Sequence, residues 1–271
     1  MQMVGTIATR LVLALGFASH AGAEPLVDAV PTAASPERIL GEAFRNRYDC
    51  DTRSKIELVM RNSRGSERRR LFDTVSKRID GRLRSIGRLL EPDHLRGMTI
   101  MTIEVPGKSE DTFIYLPSLR KVRRVSSAQR ADSFLGSDLT YEDFERRRVA
   151  DFEIESMSAE SFEGEPVWRI RARPRRPQSY AHLDFYVART DAAILATRYY
   201  KAGAAEPFRT LDSPRSGMAE QGGHVLPLRL VARNRLRETS TEITVSDLVV
   251  NPAIAESLFS LTTLESQRPL H

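Results

Sequence analysis

Between Lys55 and Val249 the chain is built from short runs with a two-residue hydrophobic period, and that pattern commits it to a large β-sheet. Ile56, Leu58 and Met60 alternate with Glu57 and Arg61. Residues 62–66 contain Arg64-Gly65 and read as a hairpin turn into a charged strand over 68–79. Strand patterns over 84–90, 98–105 and 112–116 follow, separated by Glu91-Pro92-Asp93 and Pro106-Gly107-Lys108. Further runs lie at 152–155, 167–173, 183–187, 194–200, 208–211, 226–234 and 241–249. Strands and helices do not alternate along the chain, so the expected topology is an antiparallel meander of about eleven to thirteen strands, with one N-terminal helix, one or two short helices elsewhere and no βαβ units. A sheet of that size must curl or close.

One amphipathic helix precedes the strands. Ser35 stands as its cap, Pro36 as its first helical residue and Glu37 as the acid of its first turn. Ile39, Leu40, Ala43 and Phe44 form an apolar stripe that needs a sheet to cover. After Asn251-Pro252, residues 254–259 fit one helical turn that packs Leu258 and Phe259 on the sheet edge.

Residues 113–144 break the alternation. Phe113 and Tyr115 lie on one face of a strand, and Ile114 and Leu116 on the other, so both faces need cover. Pro117-Ser118 ends that strand, and Arg120, Lys121, Arg123 and Arg124 make the next one cationic. An acidic segment follows, from Ser137-Asp138 through Glu142-Asp143, close enough in sequence to meet the arginines. The segment between is too rich in Phe134, Leu135, Leu139, Tyr141 and Phe144 for a solvated loop, and is expected to pack across the sheet with a helical turn.

This stretch resembles the LolA-like outer membrane lipoprotein-sorting family. A strand of the form W/F-x-Y-x-P, an R-R-I/V strand and an F-x-G-S-D-x-x-Y-E-D segment appear here in that order. They are Phe113-Ile114-Tyr115-Leu116-Pro117, Arg123-Arg124-Val125 and the ten residues from Phe134 to Asp143. The family often has Trp where Phe113 stands. The resemblance implies a mainly β fold with few helices: a single, strongly curved antiparallel sheet, an incomplete β-barrel, with helices across its open side. It also implies a carrier for lipids or lipoprotein acyl chains, and a transporter of the resistance-nodulation-division (RND/MMPL) type as a partner.

Arg10, the apolar run from Leu11 to Ala18 and Ala21-Gly22-Ala23 read as a cleavable signal peptide over 1–23, with export to the periplasm. A loose arm over 24–34 and one domain over 35–271 would follow. Cys50 is the only cysteine, so the fold rests on no internal disulfide, and the thiol is expected to be buried as a small hydrophobe. The 41 basic and 36 acidic residues give a net charge of +5, which suits an anionic membrane surface or an acidic partner. No helix-turn-helix or base-stacking motif accompanies that charge, so nucleic acid is not an expected partner.

Catalysis finds little support. The His residues at 94, 182 and 224 stand apart, Gly136-Ser137-Asp138 lacks the second glycine of a nucleophile elbow, and there is no H-E-x-x-H or C-x-x-C. No enzyme activity, metal or cofactor is expected. An apolar trough lined by Met98, Met101, Phe113, Tyr115, Phe134, Leu135, Trp168 and Phe185 is the candidate lipid site. Arg123, Arg124, Asp138, Glu142 and Asp143 are candidates for pinning the loop to the sheet or docking a partner. The competing readings are an envelope sensing module on the same fold and, more remotely, a hydrolase.

Overall fold

The structure, a computed structural model, describes residues 35–266 except 106 and 109, together with 269 and 270. The signal peptide and the arm read from residues 1–34 lie outside the described residues. Helix α1, Pro36–Tyr48, opens the fold, capped by Ser35, whose Oγ accepts from the Arg38 N–H at 3.3 Å. Ile39, Leu40, Ala43 and Phe44 are its buried residues, the stripe the spacing predicts.

Among the described residues, fifteen strands follow. They are β1 Thr52–Arg61, β2 Glu67–Ile79, β3 Arg82–Glu91, β4 Thr99–Ile103, β5 Asp111–Leu116, β6 Lys121–Arg124, β7 Phe152–Phe162 and β8 Glu165–Pro174. Then come β9 His182–Ala188, β10 Ile194–Tyr200, β11 Arg209–Asp212, β12 Met218–Gln221, β13 His224–Pro227, β14 Arg229–Asn234 and β15 Thr239–Val250, before the short helix α2, Leu261–Glu265. Thirteen strands form one sheet in the order β6-β5-β4-β3-β2-β1-β15-β14-β11-β10-β9-β8-β7, and β12 and β13 form a separate hairpin. The single run expected over 226–234 is therefore two strands, split near Leu228, and β7 extends seven residues beyond its expected end at 155. Glu153, Glu155 and Glu160 interrupt the apolar signal of β7, but charge pairing with β8 carries the ladder on, as Arg173 does with Glu153 at 3.0 Å.

The sheet is open, since β6 and β7 are its two ends, and it is strongly bent. Arg146 and Arg147 are chain neighbours, yet Arg146 Nη1 lies 3.2 Å from Glu104, just past β4, and Arg147 Nη2 lies 3.2 Å from Tyr199 Oη on β10. In the sheet order β4 and β10 are seven steps apart, about 34 Å if flat. Two adjacent arginine side chains span far less, so the sheet curls to present both halves to one cover.

That cover is α1 together with the segment between β6 and β7. Phe44 of α1 packs edge-on to Phe185 at 5.6 Å and lies 6.1 Å from Phe152, while Phe134 of the segment lies 6.0 Å from Phe72 on β2. The opposite, outer face near β2 to β5 is covered by the C-terminal residues: Ile254, Phe259, Leu264 and Leu270 cluster with Val75, Ile86, Met101 and Tyr115. The tail thus packs on a sheet face, where the sequence pattern suggested an edge, because the outward residues of these strands are themselves apolar. Cys50 is buried, and burial with the nearby Asp51 and Asp49 charges pushes its thiol up to about 11, so it stays protonated and inert.

Candidate functional site

The strand register determines what faces the cover. Ile56 pairs with Phe72, Phe72 with Leu89, Gly87 with Ile100 and Ile100 with Ile114. These share the inner face with Leu58, because side chains alternate and residues two apart point the same way. Above them, Phe134, Tyr141 and Phe144 form an aromatic group: the Phe134 ring lies 5.5 Å from Tyr141, edge-on, and 4.5 Å from Phe144. Sheet and aromatic group enclose a cavity of about 210 Å³, lined by Ile56, Leu58, Phe72, Gly87, Ile100 and these three rings, and by a set of Ser and Thr residues.

Of the eight residues read from the sequence as a lipid site, five lie on the inner side. Met98, Phe134 and Phe185 are buried in the inner cluster, and Leu135 and Trp168 pack partly buried against it. Met101, Phe113 and Tyr115 lie on the outer face, under the C-terminal residues, and do not line the trough. The pleat is the reason: Met101 pairs with Phe113 and Thr99 with Tyr115, one residue out of phase with the inward pair Ile100 and Ile114. Phe134 alone of the eight lines the cavity itself. The sequence reading passed over Ile56, Leu58, Phe72 and Ile100, although their shared phase in β1 to β4 is a signal that pairing the hairpins would expose.

The acidic segment is tied down, but not by the arginines expected. Asp143 is buried, and both its oxygens accept from Arg209, at 2.9 Å from Nη2 to Oδ1, with Arg147 and the Tyr199 hydroxyl also donating to Oδ1. The backbone N–H and the hydroxyl of Thr140 complete its shell at 2.8 and 2.9 Å. Burial would raise the Asp143 pKa; Arg209 and Arg147 outweigh it and hold the carboxyl below its ordinary range. Asp138 accepts from the Thr239 and Thr241 hydroxyls of β15, and its N–H donates to Thr241 Oγ1 at 2.9 Å. Glu142 accepts from Ser179, and burial raises its pKa against that hydrogen bond. Arg124 instead pairs with Asp111 at the sheet end, and Arg123 is exposed on β6. The correction has a simple cause: the basic strand is the sheet's outermost, while the acidic segment crosses back over β15, β11 and β10.

Glu110 sits beside this segment and accepts from the Arg146 N–H at 2.6 Å. Burial pushes its carboxyl up from 4.5 to about 7, with the Arg146 N–H opposing and Glu145 adding to the rise. Its contribution to stability is therefore fully present below pH 4.5 and lost as pH rises towards 7. Glu110→Gln keeps the acceptor and removes the charge, so we expect a higher Tm at about pH 8 and an unchanged one at about pH 4. An equal shift at both pH values in thermal melts would refute this account.

Among the described residues no group of three or more His, Cys, Asp and Glu side chains could hold a metal. His182 stacks on Tyr200 at 4.5 Å, on the outer face, where burial and Arg171 lower its pKa.

Solved structures similar to the chain include the following three. A domain from Vibrio parahaemolyticus, described as an outer membrane lipoprotein-sorting protein, has a TM-score of 0.78 at 20% identity, over 84% of this chain and 97% of that one. A DUF1329 family protein from Desulfovibrio piger has a TM-score of 0.73 at 20% identity, over 79% and 91%. A LolA superfamily protein from Nitrosomonas europaea has a TM-score of 0.65 at 16% identity, over 83% and 97%. Identities this low speak for the fold and leave function to be argued. No curated protein matches the chain. A family model described as "Uncharacterized protein" matches residues 81–266. The chain belongs to the family of that model, and it folds as the LolA superfamily and lipoprotein-sorting domains do.

Proposed function

We propose that residues 35–271 form a single binding domain that carries a lipid, or the acyl chains of a lipid-modified protein, through the periplasm towards the outer membrane, with an RND/MMPL-type transporter as donor or acceptor. The carrying observation is the inner-face cavity: an apolar floor on β1 to β4 under an aromatic cover tied down through Asp138 and Asp143. Each methylene buried there is worth about 0.8 kcal/mol, so retention of an acyl chain requires no reacting group. Pockets for drug-sized ligands run to roughly 300–1,000 Å³, so the cavity of about 210 Å³ takes part of a chain, and a whole chain requires Phe134 and Phe144 to swing away. Met98, Phe185, Leu135 and Trp168, on the same face, would line the longer path. The fold shared with lipoprotein-sorting domains supports this reading.

The test is extraction of periplasmically produced protein with organic solvent, followed by mass spectrometry. A stoichiometric lipid or acylated peptide is expected. Gly87→Val supplies a second arm: a Cβ there meets Thr74 Cγ2 at 3.6 Å and Phe72 Cδ1 at 3.8 Å, ordinary contacts, so the strand accepts it. The added methyls project into the cavity, and valine suits a strand better than glycine. We expect a urea midpoint at or above that of the native protein and roughly ten-fold less retained cargo, about 1.4 kcal/mol. A cargo-free native protein that also fails to take up Nile red would overturn the proposal.

A further inference from the structure

The cavity is polarised along its strands, and the polarity has an ordered source. Thr52 pairs with Ser76, Ser76 with Ser85, Ser85 with Thr102 and Thr102 with Thr112. This is a rung of five hydroxyl side chains, one from each of β1 to β5, and all five line the cavity. The next rung inward is Ser54, Thr74, Gly87, Ile100 and Ile114, and the one after it begins Ile56, Phe72, Leu89. At about 3.3 Å per residue, hydroxyl rung and apolar rung lie about 13 Å apart. One end of the cavity is thus built for hydrogen bonding and the other for hydrocarbon.

Among the described residues, no charged side chain lines this cavity. On the same face, the nearest charges along these strands are engaged elsewhere: Arg78 with Asp49 at 3.4 Å, Glu104 with Arg146 and Arg148, and Glu110 with the Arg146 N–H at 2.6 Å. The hydroxyls also spend donors on one another. Ser85 donates to Ser76 at 3.0 Å; Thr74 donates to the Ser54 carbonyl at 2.9 Å, which leaves Ser54 to donate to Thr74 Oγ1. Each hydroxyl has one donor and two acceptor sites, so the rung can both donate to and accept from an O–H head group. A carboxylate or phosphate would be buried here with no cation lining the cavity, which is costly.

From this ladder we infer that the cargo head group is uncharged and hydroxyl-bearing, as in a monoacylglycerol, and that it sits against the rung Thr52, Ser76, Ser85, Thr102 and Thr112. The inference rests on the carrier reading and narrows it to a class of lipid. The hydroxyl rung orients such an amphiphile with its chain under Phe134 and its head towards the end where β3 begins.

The experiment is displacement of Nile red from the delipidated protein by three lipids of equal chain length: a monoacylglycerol, a free fatty acid and a lysophosphatidic acid. We expect the monoacylglycerol to bind roughly ten-fold tighter than either anion, the size of one satisfied against one unsatisfied buried hydrogen-bonding group. Ser76→Ala combined with Thr102→Val should abolish that preference, and a cooperative urea transition of the variant reports that it is folded. Equal or tighter binding of the anions would overturn the head-group inference and leave the carrier standing. Failure of all three lipids and of Nile red would overturn the carrier reading itself, and the inference with it.

Discussion

Asp143→Asn lowers the stability of this protein by about 3–5 kcal/mol, the loss expected when one member of a buried ion pair is removed and its partners stay behind. Arg209 is buried beneath the covering segment, with its guanidinium 3.9 Å from the centre of the Tyr199 ring, and Arg147 shares the same carboxylate. Asparagine can still accept from one of them, but neither keeps its anion. Urea unfolding followed by tryptophan fluorescence checks the value. The contrast is Glu67→Gln: Glu67 pairs with Arg61 at 2.6 Å where both side chains are more than 40% exposed, and solvent screening leaves such a pair little effect on stability. If the two substitutions cost the same, the cluster does not hold the cover. The pH dependence has a definite sign. Asp143 titrates below its ordinary value of 3.8 when folded, so its contribution is in place above 3.8 and is lost as pH falls through the lower folded value. The acid limb of the native protein's stability curve is therefore steeper than that of Asp143→Asn.

Phe134→Ala costs a similar amount for a different reason. The ring is buried and lies within 6.0 Å, centre to centre, of Phe72, Tyr141 and Phe144. Truncating a buried Phe removes its transfer free energy and leaves a cavity, together about 3–5 kcal/mol. Here the loss falls between cover and sheet, so limited proteolysis should cut residues 126–151 faster in the variant, while exchange in the β8–β9 pairing stays slow. Loss of stability below about 1 kcal/mol would mean that the aromatic group collapses onto the floor without Phe134, and that the cover is plastic.

The class of fold was readable because a period of two is a local property. Ile56, Leu58 and Met60 need no knowledge of the rest of the chain to declare a strand, and Ser35-Pro36-Glu37 declares a helix start through its own backbone chemistry. The order of motifs around Phe113, Arg124 and Asp138 pointed to the fold for the same reason. Alternation, however, carries no sign. Phe113 and Tyr115 are as apolar as Ile114, and only the C-terminal residues from Ile254 onward, packed more than 130 positions later, make their face the outer one. Charge partners are equally non-local. Asp143 lies 19 residues from Arg124 and 66 from Arg209, yet curling of the sheet and the return of the covering segment bring Arg209 to it. The hydroxyl rung is legible in no single strand, since each contributes one Ser or Thr, and registry across four pairings assembles them. From its own residues the chain settled that it would be a large antiparallel sheet with one apolar helix to bury. Which face became the trough, what closes it and how its polarity runs were left to long-range packing, because those depend on register and curvature that no short stretch encodes.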